Sequence, residues 1–126
     1  MILIDTSIWI EFFKGNKEVQ ILNNLIENNN ICINSLILTE LIPSIVHKKE
    51  NHLKSILESI RKLDLNIDWN DLIFMQSINL KNGINKVGVP DLIIAQNAKQ
   101  NNVELFTKDG HFNLMSKFHE IKIYEY

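Results

Sequence analysis

The chain has 126 residues, of which 45% are hydrophobic and 22% charged, with a formal net charge of −2 at pH 7. That length supports one domain around a single core, and that balance fits a globular protein rather than a disordered or membrane-embedded one. The weak negative charge argues against broad coating of nucleic acid by phosphate neutralisation. It leaves open an enzyme whose acids hold cations, because bound ions reverse the local field.

No apolar run approaches the roughly 20 residues that a bilayer span needs. No basic segment or cleavage-like site accompanies the first apolar residues, so no signal peptide is expected and a cytoplasmic location is. The only cysteine, Cys32, sits in an apolar stretch. It has no partner for an intrachain disulfide and reads as a small hydrophobe in a reducing compartment.

The chain opens Met-Ile-Leu-Ile-Asp-Thr-Ser. A short continuous apolar run predicts a strand buried on both faces, and Asp5 falls at its carboxyl tip, the edge where open α/β sheets bind ligands. Asp5, Thr6 or Ser7 would serve equally as the N-cap of the next helix. Residues 8–13 form an amphipathic segment holding Trp9, Phe12 and Phe13, and Gly15 breaks it. Val19, Ile21, Leu22, Leu25 and Ile26 recur at helical spacing until Asn28-Asn29-Asn30. Residues 31–33 predict a second strand, with Asn34 and Ser35 as turn and cap.

From Leu36 the pattern is helical and includes Glu40. Pro43 predicts a kink there or a break close by, since it removes a backbone bond and clashes one turn back. Helical spacing continues through Ile45, Val46, Leu53, Ile56, Leu57 and Ile60, with His47-Lys48-Lys49 as a solvated basic face. Alternation over residues 63–67 predicts a third, edge strand. Asn70 is the expected cap of a helix ending near Gly83, and a loop over residues 84–89 follows. Pro90 suits the first position of the next helix, whose Ala95 and Ala98 permit close packing on a sheet. Residues 103–106 predict a fourth strand, residues 107–110 a loop at its carboxyl end, residues 111–118 a short helix or turns, and residues 121–124 a fifth strand. Strands alternating with helices predict a parallel α/β sheet with right-handed crossovers and helices on both faces, in one domain over residues 1–126. The crossovers after the second and third strands should each hold two helical segments.

Asp5 and Asp109 follow strands, while Glu40 and Asp91 open helices. Strand carboxyl ends and the following helix amino ends share one edge of a parallel sheet, so these acids are expected to converge. Each has a structural alternative: Asp91 suits a helix macrodipole, Asp109-Gly110 is a common turn dipeptide, and Glu40 fits a solvent-facing helix position. Clustered carboxylates repel unless a cation neutralises them. An all-oxygen set suits Mg²⁺ or Mn²⁺ rather than Zn²⁺, and such an ion activates water against a phosphodiester. The hydroxyls of Thr6, Ser7 and Thr107 are candidates to orient the ligands. Lys86, Lys108 and His111 lie in loops at the same edge as candidates for substrate phosphates, His111 equally as an ordinary surface histidine.

The stretches I-L-I-D-T-S, S-L-I-L-T-E-L around Glu40, V-G-V-P-D-L-I-I-A-Q-N-A around Asp91 and L-F-T-K-D-G-H-F around Asp109 together make the chain resemble the PIN-domain family, and within it the VapC-type toxins of bacterial toxin–antitoxin pairs. The resemblance implies a three-layer fold with sheet order 3-2-1-4-5 and a Mg²⁺- or Mn²⁺-dependent endoribonuclease acting on transfer RNA or other structured RNA. It also implies a homodimer inhibited by a small, VapB-like antitoxin. By position it makes Asp5, Glu40, Asp91 and Asp109 the metal-binding catalytic acids, with Thr107 in support. Many relatives follow the Glu-Leu pair with an aromatic residue and glycine, whereas Ile42-Pro43-Ser44 stands here, which bears on the pose of Glu40. Two alternatives stay open: the same chemistry on DNA, and a non-catalytic receiver-like signalling or binding domain. A receiver would need its phosphoacceptor Asp at the end of the third strand and would leave Glu40 and Asp91 unused.

Overall fold

The computed structural model describes residues 1–126. Its centre is a strand, β1 (Ile2–Ile4), with every residue buried. After α1 (Thr6–Phe13), a 3₁₀ turn (Lys17–Val19) and α2 (Ile21–Glu27) comes β2 (Ile31–Asn34), then α3 (Ser35–His47), α4 (Asn51–Ser59) and β3 (Arg61–Leu63). The second half contains α5 (Trp69–Lys81), α6 (Val89–Gln100), β4 (Glu104–Phe106), α7 (Gly110–Met115) and β5 (Lys122–Ile123). All strand pairs are parallel, and the five strands lie in the order β3-β2-β1-β4-β5 expected for this chain. With β1 in the middle, the carboxyl tips of β1 and β4 are adjacent. The pairing continues past β1, where the Asp5 N–H donates to the Phe106 carbonyl at 2.9 Å.

The crossovers after β2 and β3 each carry two helices, as the periodicity predicts. Cys32 is fully buried in the core, and that burial pushes its thiol pKa up to about 11. It packs as a hydrophobe.

Three local expectations are corrected. The third strand pairs Cys32, Ile33 and Asn34 with Arg61, Lys62 and Leu63, and so ends where the alternation of residues 63–67 begins. Leu63, Leu65 and Ile67 do pack on the core, but the carbonyls of Asp64 and Asn66 between them, and of Asp68 just after, accept from amide side chains of α6 instead of from a ladder. Asn97 Nδ2 donates to the Asp64 carbonyl at 3.0 Å, Gln100 Nε2 to that of Asn66 at 2.9 Å, and Gln96 Nε2 to that of Asp68 at 2.9 Å. These bonds also explain why α6 is buried on all sides from Leu92 to Ala98 despite holding Gln96 and Asn97. Second, the cap of α5 is Asp68, which accepts from the Asp71 N–H, and not Asn70. Third, α3 runs through Pro43 to His47. The break comes at Lys48 and Lys49, the latter at φ 58°.

Candidate metal centre

Asp5 stands at the N-cap position of α1, in extended conformation, but its side chain makes no capping bond. Its Oδ2 instead accepts from the Ser7 hydroxyl at 2.8 Å and from the Thr107 hydroxyl at 2.8 Å. Both hydroxyls are in turn fixed by the loop after β4. The Lys108 N–H donates to Ser7 Oγ at 3.1 Å, and the Asp109 N–H donates to Thr107 Oγ1 at 3.0 Å. Two short relays thus pin one oxygen of a carboxylate that is only 5% exposed. Asp5 Oδ1 accepts no hydrogen bond, which leaves it available to a cation.

Glu40 lies on α3, exposed, with its Oε1 accepting from the Thr6 hydroxyl at 2.8 Å. Thr6 thereby ties the first turn of α1 to α3. Asp91 sits in the first turn of α6, where Pro90 takes an early position and the N-cap, Gly88, has no side chain to compete. It is half-buried and accepts no hydrogen bond. Asp109 caps α7 by accepting the His111 N–H at 2.9 Å.

The structure brings Asp91, Asp109 and His111 into one group whose ligand atoms lie within 4.8 Å of one another. Asp5 and Glu40 lie outside that tight group but act on it. The Asp91 pKa is raised above its ordinary 3.8, first by burial, then by the charges of Asp109 and Asp5 and, more weakly, Glu40, with His111 opposing. Asp91 therefore feels the other three acids singled out in the sequence. Thr6, Ser7 and Thr107 each hold one of them or one of their neighbours.

The donor set fits a divalent cation. Half-buried carboxylates that repel one another are stabilised by a positive charge between them, and oxygen-rich sets favour Mg²⁺ or Mn²⁺. The candidate phosphate contacts divide. Lys108 Nζ is held by Glu18 Oε2 at 2.7 Å, and Lys86 is exposed without a partner. His111 belongs to the acid cluster itself, with Nδ1 3.2 Å from Asp109 Oδ1. Its two-residue offset from Asp109 is the signal that sequence reasoning passed over.

A parallel sheet with β3 at its edge is not the receiver arrangement, in which the third strand is central (order 2-1-3-4-5). Residues 2–117 match the PIN domain. The chain belongs to the PIN-domain family. Among solved structures it is similar to VapBC2 from Rickettsia felis bound to a DNA fragment from their promoter, at 23% identity over 100% of this chain and 99% of that one, with a TM-score of 0.74. It is also similar to FitAcB from Neisseria gonorrhoeae, at 22% identity over 99% of this chain and 97% of that one, TM-score 0.75. A toxin–antitoxin complex from Klebsiella pneumoniae is 20% identical over 87% of this chain and 88% of that one, TM-score 0.64. No curated protein matches the sequence. No helix is long and apolar enough to cross a membrane.

Proposed function

We propose that this PIN-domain protein is a Mg²⁺- or Mn²⁺-dependent endoribonuclease, the VapC-type toxin of a toxin–antitoxin pair, working in the cytoplasm on transfer RNA or another structured RNA. The observation that supports this reading is the gathering of acids at the carboxyl edge of the sheet, where Asp91 and Asp109 have ligand atoms within 4.8 Å of each other and hydroxyls of the same edge hold Asp5 and Glu40. Asp5, Glu40, Asp91 and Asp109 are the proposed catalytic, metal-binding acids. A divalent ion held by these acids would supply positive charge to activate a water for attack on phosphorus and to offset the phosphodiester.

The protein's own part is positioning. Ser7 and Thr107 hold Asp5 Oδ2 and leave Oδ1 free of hydrogen bonds, and Thr6 orients Glu40. The loop carrying Lys108 is anchored to Asp5 through both relays, so the cleft keeps its shape before substrate arrives.

A cognate VapB-like antitoxin is supported by the likeness to the Klebsiella toxin–antitoxin complex. The homodimer is supported by α5, where Trp69, Ile73 and Leu80 line one exposed face and Phe74 flanks it, at 58–65% exposure.

The test is cleavage of total cellular RNA by the purified protein with Mg²⁺, Mn²⁺ or EDTA, beside Asp5→Asn. Discrete fragments that vanish with EDTA and with the variant are expected. Equal cutting by Asp5→Asn would overturn the site, and cutting of single-stranded DNA in preference to RNA would move the substrate to DNA.

A further inference from the structure

We propose that His111 supplies a nitrogen ligand to the ion held by Asp91 and Asp109, and that this donor makes the site select Mn²⁺ over Mg²⁺. The inference rests on the metal-site reading above and adds to it a ligand of different chemistry.

Ligand atoms of Asp91, Asp109 and His111 lie within 4.8 Å of one another. Opposite ligands of an octahedral ion at 2.0–2.2 Å stand about 4.2 Å apart, so one ion is within reach of all three after a small closure. The backbone that carries the imidazole is also held in place. Asp109 accepts the His111 N–H, its own N–H is fixed by Thr107 Oγ1, and the Phe112 N–H donates back to the Asp109 carbonyl at 3.2 Å. The next side chain, Phe112, is fully buried and anchors the first turn of α7. These bonds fix the backbone from which the ring projects, with Nδ1 standing 3.2 Å from Asp109 Oδ1.

The alternative use of the ring is a hydrogen bond or ion pair from Nδ1 to Asp109 Oδ1, 3.2 Å away. The same separation suits two neighbouring ligands of one octahedral ion, which stand about 3 Å apart when each is 2.0–2.2 Å from the metal, so Nδ1 and Oδ1 can share a cation without moving apart.

Imidazole distinguishes between the two ions that the acids alone would accept. Mg²⁺ demands oxygen ligands and gives up its waters reluctantly, whereas first-row transition ions bind nitrogen readily. An all-carboxylate site would hold both on similar terms.

The experiment is pulsed electron paramagnetic resonance of the protein loaded with Mn²⁺, read for modulation from a directly bound nitrogen-14. Calorimetric affinities for Mn²⁺ and Mg²⁺ accompany it, for wild type, His111→Ala and His111→Gln. Nitrogen coupling is expected in the wild type and absent in both variants. Mn²⁺ affinity should fall about tenfold or more while Mg²⁺ affinity stays within about twofold. Bound Mn²⁺ without nitrogen coupling, or equal weakening of both ions, would overturn the role of His111 and leave the acidic site standing. No Mn²⁺ binding by the wild type would overturn the acidic site and this inference with it.

Discussion

Replacing Asp91 with asparagine should stabilise the metal-free protein. The change keeps the side chain's shape and removes one charge from a group of carboxylates. Taking the 4.8 Å upper limit for the group as the separation from Asp109, one pair of unit charges repels by about 0.9 kcal/mol at the dielectric of water and about 3.5 kcal/mol at an effective value of 20. The cleft is open and Asp91 only half-buried, which places the repulsion toward the lower figure. Asparagine also forfeits the favourable interaction of the charge with the α6 amino end, about 0.3–1 kcal/mol. With Asp5 and Glu40 adding repulsion of the same sign, the net gain is about 1 kcal/mol. For 126 residues, that gain corresponds to a rise of about 4 °C in Tm. The pH dependence follows from the raised pKa. The wild type is not penalised below the ordinary carboxyl value of 3.8 and loses stability as pH rises through the folded value, so the advantage of Asp91→Asn should appear above about pH 4 and be absent at pH 3. The assay is thermal unfolding in EDTA across that range, repeated in Mn²⁺. There the order should invert, because the wild type gains more from binding. A variant less stable than wild type in EDTA at pH 7, or one with an equal advantage at pH 3, would refute the argument.

Thr107→Val keeps the volume but breaks the relay between the Asp109 N–H and Asp5. It should cost about 1–2 kcal/mol in denaturant unfolding and weaken Mn²⁺ about tenfold or more by calorimetry; unchanged affinity would count against the relay. Asn97→Leu strands the Asn34 amide and the Asp64 carbonyl, both now bonded to Asn97 at 3.0 Å. A loss of about 2–4 kcal/mol in chemical unfolding is expected, and a loss below 0.5 would mean that water replaces those bonds. Ile73→Asp on the exposed face of α5 should halve the molecular mass in light scattering while the circular dichroism stays unchanged. A wild type that is monomeric at high concentration would contradict the dimer directly.

The sequence makes the site legible and parts of the scaffold less so. Asp5 follows three apolar residues, and its place at a strand tip is readable from that run alone. Whether it caps α1 or faces a cleft depends on Thr107, a hundred residues further on, whose hydroxyl claims Oδ2. Residues 63–67 carry a true signal of extended backbone, yet the carbonyls of Asp64 and Asn66 accept from Asn97 and Gln100. Alternation reports which side chains are buried and not which groups satisfy the backbone. The helix around Pro43 survives because a single lost bond is outweighed by the burial of Ile37, Leu41 and Ile45 on one face. His111 escaped assignment to the cluster because its relevance depends on the turn after Asp109, which folds the ring back beside its neighbour's carboxylate.

The most direct measurement is anomalous diffraction at the manganese edge from crystals grown with millimolar Mn²⁺. The account predicts a peak at the carboxyl edge of the sheet, within about 2.5 Å of oxygens of Asp91 and Asp109, with Asp5 and Glu40 around it. A peak seated elsewhere, or crystals in which these four carboxylates stay metal-free at that concentration, would contradict it.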